Sequence, residues 1–174
     1  PTMNTKNKQT ICIILAIALT VTLIGSFFSL SKTMSVYNGV IAQELRGISM
    51  ASDKIAYREV DILDTTAYEE SMHNYFISVG YAVLSINEIS ENSYLYRKYQ
   101  TPNLYGFIEK AVAGSVEADD KSIKDRKKCI DTIKKISKEL ENKIFLSRDY
   151  NYVGDPQGVS KTIEKIETIC KEWK

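Results

Sequence analysis

From Thr10 to Leu30 the chain runs for 21 residues without a charged side chain, and the charge-free segment extends over residues 9–31. A helix rises 1.5 Å per residue, so about 20 apolar residues cross a hydrocarbon layer roughly 30 Å thick. The run is too long for the apolar core of a cleaved signal. Its best cut-like triplet, Ser29-Leu30-Ser31, is a poor match to the small-X-small pattern. A core helix of a soluble protein keeps a polar face, whereas this segment is apolar all round. The expectation is a retained membrane helix over residues 10–31, preceded by a short polar tail at 1–9.

Within that helix Thr22, Ser26 and Ser29 fall at helical spacing, with Gly25 beside them. A stripe of small residues lets a second helix approach closely in lipid, so these four are the expected packing positions. Lys6 and Lys8 precede the run, and Lys32 and Arg46 follow it. The bias favours a cytoplasmic amino terminus and an extracytoplasmic remainder.

Residues 32–174 read as helix throughout. Met34, Tyr37, Ile41, Leu45, Ile48 and Ile55 recur at steps of three and four. Pro1, Pro102 and Pro156 are the only prolines, so nothing stops the membrane helix from continuing to about Val60, roughly 75 Å in all. Asp64, Thr65 or Thr66 caps a second helix carrying Met72, Phe76, Val79, Val83 and Ile86. That helix ends before Pro102. A third run begins at Leu104, loosens near Gly114 and resumes through Cys129, Ile133, Ile136 and Leu140 towards Ile144. After a polar loop, a short fourth helix carries Val159, Ile163, Ile166 and Cys170. The fold class expected is all-α: one transmembrane helix continuing into an antiparallel, about four-helix, extracytoplasmic bundle.

Cys129 and Cys170 lie on apolar stripes at similar distances from the loop between the last two helices. In an extracytoplasmic bundle they are expected to form a disulfide. Cys12, inside the apolar run, is expected to be a small membrane-buried side chain.

Chemistry-bearing motifs are sparse. His73 is the only histidine, so no multi-histidine zinc site is available. Glu70-X-X-His73 is half of a di-iron signature whose second half needs another histidine. Asp119 and Asp120 are adjacent in a lysine-rich segment, point about 100° apart on a helix and read as part of a solvated face. No phosphate-binding glycine loop and no Cys-X-X-Cys occurs. The expectation is no catalytic, metal or cofactor-binding residue. With 23 basic and 22 acidic residues, no nucleic-acid partner is expected either.

Tyrosine is the conspicuous residue, with eleven copies. Tyr94, Tyr96, Tyr99 and Tyr105 crowd one helix connection and form a candidate interface, with Tyr150 and Tyr152 in another loop. The functional reading is a non-catalytic, membrane-anchored accessory subunit whose partners are the bilayer and other membrane-protein subunits or copies of itself. The alternatives are a ligand-sensing ectodomain and a pilin-like filament subunit packing through its apolar amino-terminal helix.

Overall fold

The computed structural model describes residues 5–113, 120–141 and 159–173. Five α-helices account for almost all of them, and no strand occurs among the described residues. They are α1 (Thr5–Ala56), α2 (Thr65–Asn92), α3 (Pro102–Ala113), α4 (Asp120–Leu140) and α5 (Val159–Lys171), with a 3-10 turn at Tyr94–Tyr99.

Helix α1 is continuous from before the apolar run to well beyond it, so the boundary expected between membrane helix and domain falls inside an unbroken helix. It is long and apolar enough to cross a membrane, and none of its apolar window is buried within the chain. Leu15, Leu19, Leu23, Phe27 and Phe28 are all more than half exposed. Beyond Lys32 the same helix acquires a buried face, with Ile41, Leu45, Ile48, Ser52 and Ile55 in the core. The change follows the sequence: an all-round apolar surface gives way to an amphipathic one, and only the latter has helices packed on it.

The α1–α2 turn is built by aspartates. Asp61 Oδ1 accepts from the N–H groups of Leu63 and Asp64 at 2.9 and 3.3 Å. Asp64 is then the N-cap of α2, accepting from Ala67 N–H at 3.1 Å. Helix α2 returns antiparallel to α1: Ser52 meets Tyr75, and Met34 meets Tyr96 just beyond the end of α2.

The third apolar run gives two helices rather than one. Helix α3 packs on α2 and α5, whereas α4 packs on α1 and α5, so the two apolar stripes serve different neighbours. Helices α4 and α5 are antiparallel, as the Lys165–Glu139 and Lys135–Glu172 ion pairs show. One apolar core joins all five helices, with Val79, Val83, Ile86, Leu104, Ile133, Ile136 and Leu140 essentially without solvent contact. The opposite face of α4 is a solvated row of Lys124, Lys127, Asp131, Lys134 and Lys138. Ile144, Asp119, Tyr150, Tyr152 and the side chain of Asp120 lie outside the description.

Candidate interaction surface

The four-tyrosine interface expected from the sequence is divided by the structure. Tyr96 and Tyr99 are buried, at 3 % and 1 % exposure, while Tyr94 is 81 % and Tyr105 38 % exposed. The Tyr96 hydroxyl donates to the Met34 carbonyl at 3.0 Å, and its ring meets Tyr37 edge-on at 5.4 Å. Tyr96 and Tyr99 therefore fasten the 3-10 turn against the core and the lower part of the helical domain. The division has a simple cause. The 3-10 turn winds three residues per turn, which places Tyr96 and Tyr99 together on its inner side.

The expected disulfide is also corrected: Cys129 and Cys170 are free thiols, both buried. Equal distance from a connecting loop fixes the level of two residues along their helices. It does not fix the rotation and separation that bring Cβ atoms to about 3.8 Å. The thiols belong instead to a polar seam within the core. Burial raises the Tyr68 and Tyr75 hydroxyls well above the ordinary value, with Cys129 adding to both and Cys170 to Tyr75, and the Tyr75 hydroxyl lies 3.4 Å from that of Ser52. Burial pushes the Cys129 thiol up to about 12, opposed by the Tyr68 hydrogen bond. Burial, then the nearby Glu167 carboxylate, pushes Cys170 up as well. Thiols held in this way are poor nucleophiles.

Arg126 completes this region and was not singled out in the sequence, where it reads as one more cation in a basic helix. It is 2 % exposed. Nη1 donates to the Ile62 carbonyl and Nη2 to the Thr65 hydroxyl, both at 3.1 Å, and the guanidinium carbon sits 5.0 Å from the Tyr68 ring centroid. Nε has no hydrogen-bond partner among the described residues. The side chain ties α4 to the α1–α2 turn.

Thr22, Gly25, Ser26 and Ser29 all face outward on α1, and a Cβ added at Gly25 meets nothing within 4 Å. The Thr22 hydroxyl donates to the Ala18 carbonyl at 2.9 Å, as Thr20 does to Ala16 at 2.8 Å. Hydroxyls satisfied by their own helix need no water, which suits them to an apolar surrounding.

The remaining outward features converge on α1 and α2. An open cleft of about 810 Å³ runs between them, with Gly47, Met50 and Lys54 on one wall and Asn74, Ile77 and Ser78 on the other. Met50 is 52 % exposed, and Ile77, Tyr81 and Leu84 form an exposed apolar row along α2. His73 is exposed on α2, and among the described residues no group of three His, Cys, Asp or Glu side chains converges as for a metal ion. The cleft and the apolar row offer contact area. Comparison with protein-family models, with curated proteins and with solved structures finds no match for this chain.

Proposed function

We propose that the chain is a non-catalytic, single-pass membrane subunit that presents an extracytoplasmic helical bundle to protein partners. The supporting observation is the two-part character of α1. One unbroken helix is exposed and uncharged over residues 9–30, and forms one side of the core beyond Lys32. An exposed apolar run of this length is unfavourable in water and favourable in lipid, at about 25 cal/mol per Å² of apolar surface. Anchor and domain are thus one rigid piece. The groups with most chemical potential, Cys129, Cys170 and Arg126, are used inside the core, while Val36, Met50, Ile77, Tyr81 and Leu84 are exposed apolar side chains on α1 and α2. Lys6 and Lys8 ahead of the span support a cytoplasmic amino terminus.

Two measurements test the reading. The chain should stay with membranes through carbonate extraction, and protease added outside should digest the domain but spare the amino terminus. Gentle detergent extraction followed by native mass spectrometry should show the chain in a defined assembly. Extraction as a lone monomer would sink the interaction reading. The α1–α2 cleft gives the ligand-sensing alternative its one support, and a small-molecule-dependent rise in melting temperature of the full chain would favour it.

A further inference from the structure

Two contacts fix which part of the domain stands beside the end of the apolar run. The Tyr96 hydroxyl donates to the Met34 carbonyl at 3.0 Å, and the Tyr96 ring meets Tyr37 edge-on at 5.4 Å. Met34 lies four residues beyond Leu30, where the run ends, a rise of about 6 Å. Helix α2 gives the same level independently. Tyr75 stands beside Ser52; 17 residues further on, Asn92 comes level with Ser35, which is 17 residues back along the antiparallel α1. The 3-10 turn at Tyr94–Tyr99 therefore stands about one helical turn from the end of the run. A bilayer adds a headgroup layer about 5–8 Å deep on each side of its hydrocarbon. A run that fills the hydrocarbon places Met34, and the turn fastened to it, at headgroup depth.

The turn carries what that layer accepts. Tyr94 is 81 % exposed, and Arg97 and Lys98 are exposed beside it. The guanidinium carbon of Arg97 lies 5.3 Å from the Tyr94 ring centroid, and Lys98 Nζ lies 5.0 Å from that of Tyr99. Lys32 is exposed at the same level on α1. Residues 31–37 and 92–101 hold these three cations and no acidic residue. The connection at the other end of α2 is opposite in sign, with Glu59, Asp61, Asp64, Glu69 and Glu70 exposed against Arg58 alone. Tyrosine and long basic side chains are the residues of a membrane–water interface, where a ring sits among headgroups and a charge reaches phosphate on an apolar stem.

We infer that the 3-10 turn is a second membrane contact: Tyr94 enters the headgroup layer of the leaflet from which α1 emerges, and Arg97 and Lys98 bind lipid phosphates there, anionic lipids most strongly. The bilayer is the occupant because α1 brings it to this place. One unbroken helix runs from the apolar run to Met34 and Tyr37, so membrane and turn are held at a fixed short distance. The attraction of a cation to an anionic lipid surface acts over about a Debye length, roughly 8–10 Å, which covers that distance. Tyr96 and Tyr99, buried on the inner side of the turn, leave Tyr94, Arg97 and Lys98 to the outside.

The inference rests on the membrane-anchored reading, and one experiment separates the two. The full-length Cys12→Ser chain, whose other two thiols are buried, receives a single cysteine by Tyr94→Cys or, at the far connection, by Leu63→Cys. Each is labelled with a fluorophore and reconstituted into phosphatidylcholine vesicles containing lipid spin-labelled at the top of its acyl chain, either phosphatidylcholine or phosphatidylglycerol. Quenching at position 94 should exceed that at position 63 at least about five-fold. At position 94 the phosphatidylglycerol label should quench at least about two-fold more than the phosphatidylcholine label, and Arg97→Gln with Lys98→Gln should abolish that difference. Equal quenching at the two positions, in a chain that floats with the vesicles, overturns the contact and leaves the anchor intact. No preference between the two lipids, or a preference that survives the double substitution, overturns phosphate binding by Arg97 and Lys98. A chain that does not float with the vesicles overturns both readings.

Discussion

Arg126 is the residue whose role depends most on its surroundings. Its two hydrogen bonds, to Ile62 and Thr65, hold the α1–α2 turn, and its guanidinium lies over the Tyr68 ring. Arg126→Ala removes both bonds, leaves the Ile62 carbonyl without this donor and opens a void. It should cost about 3 kcal/mol, read as an earlier denaturation midpoint in detergent. Lys127→Ala, one position along and exposed, should change the midpoint little. The buried thiols and tyrosines set a pH limit. Cys129, Cys170, Tyr68 and Tyr75 are all raised above their ordinary values by burial, so each holds its proton in the folded chain when the unfolded chain has begun to lose it. The folded state then binds more protons, and stability falls as pH rises. It should be level to about pH 9, the ordinary thiol value, and decline from there through about 12; melting followed by circular dichroism across that range checks it. In the same chain at pH 8, Cys129 and Cys170 should resist alkylation until denaturant is added.

At the scale of elements, α3 has its start held by its neighbours. Its amino terminus would leave N–H groups unpaired, and two of them, from Asn103 and Leu104, donate to the Glu167 carboxylate on α5 at 2.8 and 2.9 Å. Thr101, just before the helix, turns both its N–H and its hydroxyl to Asn87 Oδ1 on α2. The negative carboxylate at a helix start adds a favourable dipole contact. Glu167→Ala should therefore cost about 1–2 kcal/mol and should raise hydrogen exchange at Asn103 and Leu104 specifically. Asp64→Ala, which removes the local cap of α2, should cost about 1 kcal/mol. The contrast bears on legibility. Asp64 was readable as one of three candidates, with Thr65 and Thr66, because a local cap lies next to the helix it serves. Glu167 was not, because it lies 63 and 64 residues away along the chain from the amides it caps.

For the whole molecule, the unbroken α1 means that a change at one end is felt at the other. A charge in the middle of the apolar run, such as Val21→Arg, should add about 3 kcal/mol to insertion and move part of the chain into the carbonate-soluble fraction. Because the span and the core face belong to one helix, the released chain should still show full helical circular dichroism from the domain.

What the sequence by itself determined is what depends on local order: helical elements, the apolar span, the unbroken reach of α1, a cap for α2 at Asp64, Thr65 or Thr66 and the core face from Ile41 to Ile55. Each is set by residues within a few turns of one another, through hydropathy period, charge and capping chemistry. Only the tertiary structure decided the rest. It split the third apolar run between two sets of neighbours, turned Tyr96 and Tyr99 inward and left Tyr94 and Tyr105 facing out. It left Cys129 and Cys170 as buried thiols and buried one arginine out of a basic row. Those outcomes depend on how helices are rotated about their own axes and how far apart they pack, and no short stretch of sequence encodes either.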